Sequence, residues 1–225
     1  MIKRIVSTGC SFVRNSFDDE NIKRSNIGDT PTRPLVQSHY CLSNVAIQNE
    51  TNYTIELGEL MQLPTLSYGQ GGSGNRYTVY KALDLIEKGI IKDGDFLLIG
   101  ITEFTRYDFV RPSYSKDDIP ISKWPKLPVD EYAKYYSKKD NEFEIKTLLK
   151  IASAYLEKKG LHHMFINTMN DIVSIKDIVP TFLFPDKTEY WRSYITNYDS
   201  TYKLEHPNIA DHKILAKLLM DKLVA

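Results

Sequence analysis

An α/β protein with a mostly parallel sheet is what this sequence predicts, and three observations carry the prediction. Short β-branched or apolar runs at 2–8, 64–68, 96–101 and 161–167 alternate with stretches of helical periodicity. The third run, Phe96-Leu97-Leu98-Ile99-Gly100-Ile101, reads as continuously apolar, as a parallel strand covered on both faces does. Glycine closes the first two runs at Gly9 and Gly69, a turn signal at the carboxyl end of each. Strands alternating with helices imply right-handed crossovers that cover the sheet on its faces.

The elements follow in order along the chain. Residues 2–8 make the first strand. Residues 13–50 are polar, with Asn, Asp, Ser and Pro signals that predict a long loop holding one short helix. A helix is expected over 53–62, with Ile55, Leu57, Leu60 and Met61 as its apolar residues, and Pro64 opens the second strand. After the turn Gly69-Gln70-Gly71-Gly72-Ser73-Gly74, a helix runs from Asn75 to Glu87 with Val79, Tyr80, Leu83 and Ile86 on its inner face. Residues 107–137, rich in Tyr, Pro and Lys around Trp124, predict an irregular insertion over the strand ends. The helix at 141–158 carries the stripe Ile145, Leu148, Leu149, Ala152 and Leu156, and Gly160 ends it before the fourth strand. The last helix is expected over 207–223, with Pro207 in its first turn, where a missing N–H does no harm.

Composition narrows the function classes. The 225 residues fit one domain, over 1–225, with 42% hydrophobic and 26% charged residues. Twenty-nine basic residues balance 29 acidic ones, so no net field draws the chain to nucleic acid or to a membrane. The two cysteines, Cys10 and Cys41, have no metal or redox spacing and read as free thiols. The N-terminus runs straight into a strand with no long apolar segment, and the expected location is cytoplasmic.

In a parallel sheet of this kind ligands sit beyond the carboxyl ends of the strands, so segments 9–12, 69–75 and 100–106 converge on one crevice. Ser11, in Gly9-Cys10-Ser11-Phe12, can present both a hydroxyl nucleophile and its own N–H there, or simply cap the next helix. The glycines around Gly72 let the backbone approach a substrate, and Asn75 can donate its amide to a developing oxyanion or cap its helix. Glu205-His206-Pro207-Asn208 places His206 in a loop before the last helix, where it can act as a general base. His212, inside that helix, suits packing or capping. His162 and His163 point to opposite faces of a strand, and no carboxylate–histidine spacing supports a metal site. Arg14, Arg76 and Arg106 can approach the crevice and meet an anionic group, although such residues are usually solvated.

Taken in this order, Val6-Ser7-Thr8-Gly9-Cys10-Ser11-Phe12, Gly71-Gly72-Ser73-Gly74-Asn75-Arg76 and Glu205-His206-Pro207-Asn208 resemble the first, second and last conserved blocks of the SGNH (GDSL-like) hydrolase family, and Phe96-Leu97-Leu98-Ile99-Gly100 resembles the strand leading into its third. The Gly-Cys-Ser-Phe form is similar to divergent phage or bacterial members. The resemblance implies a flavodoxin-like, three-layer α/β/α fold with a sheet of about five strands. It also implies hydrolysis of an ester or O-acyl bond without cofactor or metal. Ser11 would be the nucleophile, His206 its base, and the N–H groups of Ser11 and Gly72 the oxyanion donors.

Two positions depart from the family pattern. Thr102 stands where an oxyanion-binding Asn is usual, and Lys203 where the aspartate that orients the histidine is usual. Asn75 or Thr102 can compensate for the first, and Asp199, Glu205 or a backbone carbonyl for the second, leaving a Ser–His dyad or triad. The expected function is a serine esterase or O-deacylase acting on a small-molecule or glycan ester. The alternative is a catalytically degenerate domain of the same fold that binds a glycan or a protein. A nucleotide-binding reading of the glycine turn leaves the His206 segment unexplained. Substrate and oligomeric state stay open.

Overall fold

The computed structural model describes residues 2–9, 36–38, 52–69, 74–102, 138–168, 174–198, 207 and 209–224. The strands are β1 (Arg4–Gly9), β2 (Val36–Ser38), β3 (Thr65–Gly69), β4 (Asp95–Ile101) and β5 (His162–Asn167). The helices are α1 (Tyr53–Met61), α2 (Asn75–Glu87), α3 (Lys138–Lys158), α4 (Trp191–Tyr198) and α5 (Ile209–Val224). The strands form one sheet in the order β2-β3-β1-β4-β5, and every pairing in it is parallel.

Side-chain alternation along the strands builds three layers. Ile5, Phe96, Leu98 and Ile166 point to one face, where they bury against Tyr53 and Leu57 of α1, Trp191 and Ile195 of α4, and Leu215, Ala216 and Leu219 of α5. Val6, Leu97, Ile99, Ile101 and Phe165 point to the other, against Val79, Ala82 and Leu85 of α2 and Ile145, Leu149, Ala152 and Leu156 of α3. β4 therefore needs apolar residues at successive positions, and all seven of its residues are buried. Each such fully buried aliphatic side chain contributes roughly 1.5–3 kcal/mol.

The α/β fold expected from the sequence is the fold observed, in three layers. The direction of travel changes at β1: the chain moves to the edge strand β2 and back to β3 on one side, then crosses to β4 and β5 on the other. That reversal is the topological switch of an open α/β sheet, and sheets of this kind bind ligands at the carboxyl ends of the strands there. Register sets these ends side by side, with Gly9 opposite Gly69 and Thr8 opposite Ile99.

Several details differ from the sequence reading. Val36–Ser38, expected in a loop, is an edge strand parallel to β3; three residues are too few to show strand periodicity. The rest of the predicted loop at 13–50 and the insertion at 107–137 lie outside the described residues. Helix α4 lies in a stretch to which the sequence reading assigned no element; its sequence WRSYITNY is of mixed polarity, and Trp191 and Ile195 are its buried residues. The segment before α4 also extends the sheet past β5, through bridges of Thr181 to Phe165 and Tyr190 to Asn167. Tyr80, placed on the inner face of α2, is exposed, as is Leu60 of α1. The inner stripe of α2 is Val79, Ala82, Leu85 and Ile86, and Tyr80 lies about 100° round the helix from Val79. Helix α5 starts at Ile209 rather than at Pro207. Among the described residues no helix is long and apolar enough to cross a membrane.

Close packing of α1 on the turn into β3 requires a glycine at position 58. A Cβ there would lie 2.1 Å from Thr65 Cγ2 and 2.8 Å from the Leu63 carbonyl oxygen, whose residue's N–H bonds back to Gly58 O at 2.8 Å. Gly58→Ala is expected to lower stability by about 1–3 kcal/mol, the cost of overpacking. Urea unfolding measured beside wild type checks it.

Candidate active site

The ends of β1, β3 and β4 and the starts of α1, α2 and α5 meet at one end of the sheet. Helix α1 begins under β1 and β3 because its cap residue binds the sheet. Asn52 Oδ1 accepts the N–H groups of Thr54 and Ile55 at 2.9 and 3.1 Å, while its Nδ2 donates to Ser67 Oγ at 3.2 Å. Ser7 Oγ on β1 accepts from Thr54 Oγ1 at 2.7 Å and donates to Ser67 Oγ at 3.2 Å. All four side chains are buried. A network of this kind fixes the central strand to the helix beside it, since each member would otherwise lose its hydrogen bonds to water without replacement.

His212 anchors the last helix at the same end. It is fully buried in the first turn of α5, and its Nδ1 accepts the Tyr53 backbone N–H at 3.1 Å. Its ring stacks on Tyr53, with centroids 6.1 Å apart, and meets Trp191 edge-on at 5.1 Å. Accepting through Nδ1 requires the neutral imidazole, and burial pushes His212 down to about 3. The packing role expected for His212 is the one it has. Pro207, which precedes α5, is buried.

The start of α2 meets the end of β4 through one side chain. Asn75 Oδ1 accepts the Thr102 N–H at 2.9 Å, and Asn75 Nδ2 donates to the Thr102 carbonyl oxygen at 3.0 Å. Asn75 is the first residue of α2, and Gly74 before it has no side chain to cap the helix. The first turn of α2 holds no acidic residue, so its own sequence does not neutralise the partial positive charge of the helix start. Two hydroxyls at the strand ends, Thr8 Oγ1 and Thr102 Oγ1, are buried without a hydrogen-bond partner among the described residues. Buried polar atoms are ordinarily bonded, and these two stand at the end of the sheet where a substrate would lie.

Of the residues singled out from sequence, Asn75 and Thr102 are brought together at this end of the sheet. Ser11, Gly72, Asp199, Glu205 and His206 lie outside the described residues, as do Arg14 and Arg106. Arg76 is paired with Glu144 of α3, with Nε 2.9 Å from Oε1 and a second bond from Nη2 to Oε2, so it ties α2 to α3. His162 is exposed, and half-buried His163 bonds Ser153 Oγ through Nε2 at 2.9 Å and the Leu161 carbonyl through Nδ1 at 3.1 Å. Sequence reasoning missed the Ser7–Thr54–Ser67–Asn52 network. Its one legible signal was an Asn placed immediately before a helical stretch, a capping pattern.

No protein-family model matches the sequence, and no curated protein matches it. Solved structures do. Axe2, an acetylxylan esterase from Geobacillus stearothermophilus, aligns with a TM-score of 0.51 at 11% identity, covering 98% of this chain and 94% of that chain. A catalytic mutant of the same enzyme gives 0.52 at 11% identity with the same coverage. A protein described as lipolytic and of the G-D-S-L family, from Desulfitobacterium hafniense DCB-2, aligns over 97% of this chain and 98% of its own at 10% identity and a TM-score of 0.44. At such identities the likeness is one of fold.

The buried neutral histidine makes stability depend on pH. An unfolded chain binds a proton at His212 below about pH 6.5, while the folded chain does not until near pH 3. Stability contributed by the neutral ring is therefore full above 6.5 and falls by about 1.4 kcal/mol per pH unit below it. His212→Phe removes this dependence and leaves the Tyr53 N–H without its acceptor. Wild type is expected to be the more stable at pH 7, with the gap narrowing by roughly 2 kcal/mol at pH 5, read from urea unfolding at both values.

Proposed function

We propose that this protein is an SGNH-type serine esterase that hydrolyses a small-molecule or carbohydrate ester without a cofactor. The observation that carries the proposal is the switch point, where the ends of β1 and β4 lie side by side and the start of α2 is held against Thr102. The sequence stations attach at those places: Ser11 two residues past β1, Gly72 between β3 and α2, and Thr102, which stands where the family has an Asn, directly past β4. The fourth, His206, is next to buried Pro207 at the start of α5, the helix that His212 anchors to α1.

The chemistry follows from these roles. Ser11 Oγ attacks the acyl carbon as His206 takes its proton, and His206 returns that proton to the leaving alcohol. Water then attacks the acyl-enzyme by the same route and releases the acid. The N–H groups of Ser11 and Gly72 and the hydroxyl of Thr102 hold the oxyanion, helped by the positive start of α2. Asp199, Glu205 or a main-chain carbonyl orients His206. Acetylxylan hydrolysis by the fold relative favours a carbohydrate ester.

An activated serine reacts with a fluorophosphonate, which tests the central step. Ser11 is expected to be the labelled residue when the treated protein is mapped by mass spectrometry. His206→Ala should slow labelling by about 1,000-fold or more, since a triad's members act as a unit. A folded protein whose Ser11 stays unmodified is not a serine esterase, and the crevice is then one for binding a glycan or a partner protein.

A further inference from the structure

We infer that Asn75 is a positioning residue that works through Thr102 rather than by touching the substrate, an inference that rests on the esterase reading above. Thr102 is the first residue past β4, and the ladder between β4 and β5 ends at Ile101 opposite Asn167. Beyond it, the Ile101 carbonyl is taken by the Thr168 N–H at 2.8 Å and the Thr168 hydroxyl at 2.7 Å. The Asn75 carboxamide supplies Thr102 with a donor and an acceptor together, imitating a strand edge. Both residues are 1% exposed, so no bulk water can replace either bond.

The position of Asn75 argues against its serving the helix. Asn commonly precedes a helix as its cap, but here it is the first helical residue, and Gly74 occupies the cap position. Both ends of its carboxamide reach Thr102, 27 residues away. They lock the start of α2 to the end of β4. With the clamp in place, the Thr102 hydroxyl keeps one position relative to the start of α2 before substrate arrives. Donors held in that way stabilise the transition state more than the ground state, so the clamp acts on kcat and leaves KM nearly unchanged.

The test is a double-mutant cycle read with p-nitrophenyl acetate, with folding of each variant checked by thermal unfolding. Asn75→Ala removes the clamp from one side. Thr102→Pro deletes the N–H that Asn75 Oδ1 accepts together with the hydroxyl through which the clamp acts, and extended Ile101 tolerates a following proline. Each is expected to lower kcat by about ten- to a hundredfold with KM within about threefold, and the pair together no further than the worse single. Losses that multiply would show Asn75 acting on the substrate directly and overturn the inference, as would an unchanged kcat in Asn75→Ala. Exchange of the Thr102 amide proton, followed by NMR, is independent of activity. Acceleration by about a hundredfold in Asn75→Ala, centred on Thr102 and the start of α2, supports the clamp, and unchanged exchange overturns it. That second readout decides if Thr102→Pro does not fold. It also separates the two ideas: an inactive wild type with a clamp-protected Thr102 amide would sink the esterase reading alone.

Discussion

β1 lies between β3 and β4, buried on both faces, and the rest of the molecule is arranged around that constraint. A strand with neighbours on both sides and helices above and below has no free polar edge, so its main chain is satisfied by parallel ladders alone. The chain leaves β1 in one direction and returns past it in the other, which makes its carboxyl end the switch point where sheets of this kind bind ligands.

What makes that end chemically usable is the polar structure under it. Inside a core dominated by Val, Leu, Ile and aromatic rings, Ser7, Ser67, Thr54 and Asn52 form one bonded chain, and His212 accepts from Tyr53 beside it. Buried polar groups weaken a core unless every member is paired, and when paired they specify one arrangement. Here they fix where α1 and α5 begin relative to β1. Asn75 does the corresponding work on the other face, between α2 and β4. Rigid elements that meet at fixed points can hold reactive groups to the tolerance that ester chemistry demands.

Under the proposed esterase reading, Thr102 would stand in for an oxyanion-binding asparagine. A threonine offers one hydroxyl where an asparagine would offer an amide, and it reaches less far from the main chain. Its value would then depend on where its backbone is held, which would make the partner of that backbone part of the site. The absence of acidic residues from the first turn of α2 would work in the same sense, because a local carboxylate would cancel the helix charge that a developing oxyanion would use.

The layer order, the four main strands and the faces of α3 and α5 were legible in the sequence, since burial on two faces writes itself as apolar runs of period 1 and 3.6. So was the meeting of strand ends at Gly9, Gly69 and Ile101, because strand ends follow from strand positions. Pairings between distant residues were not. Nothing in the strings around Asn75 and Thr102, Tyr53 and His212, or Ser7 and Thr54 announces a partner, and Asn75 read equally well as a cap or as a substrate donor. A side chain's hydrogen-bonding type is local, but its partner is chosen by which elements the fold lays together. Sequence by itself determined the strands, their layers and the candidates for chemistry; the tertiary structure decided which polar atoms hold the frame, because a partner is chosen by the elements packed beside it.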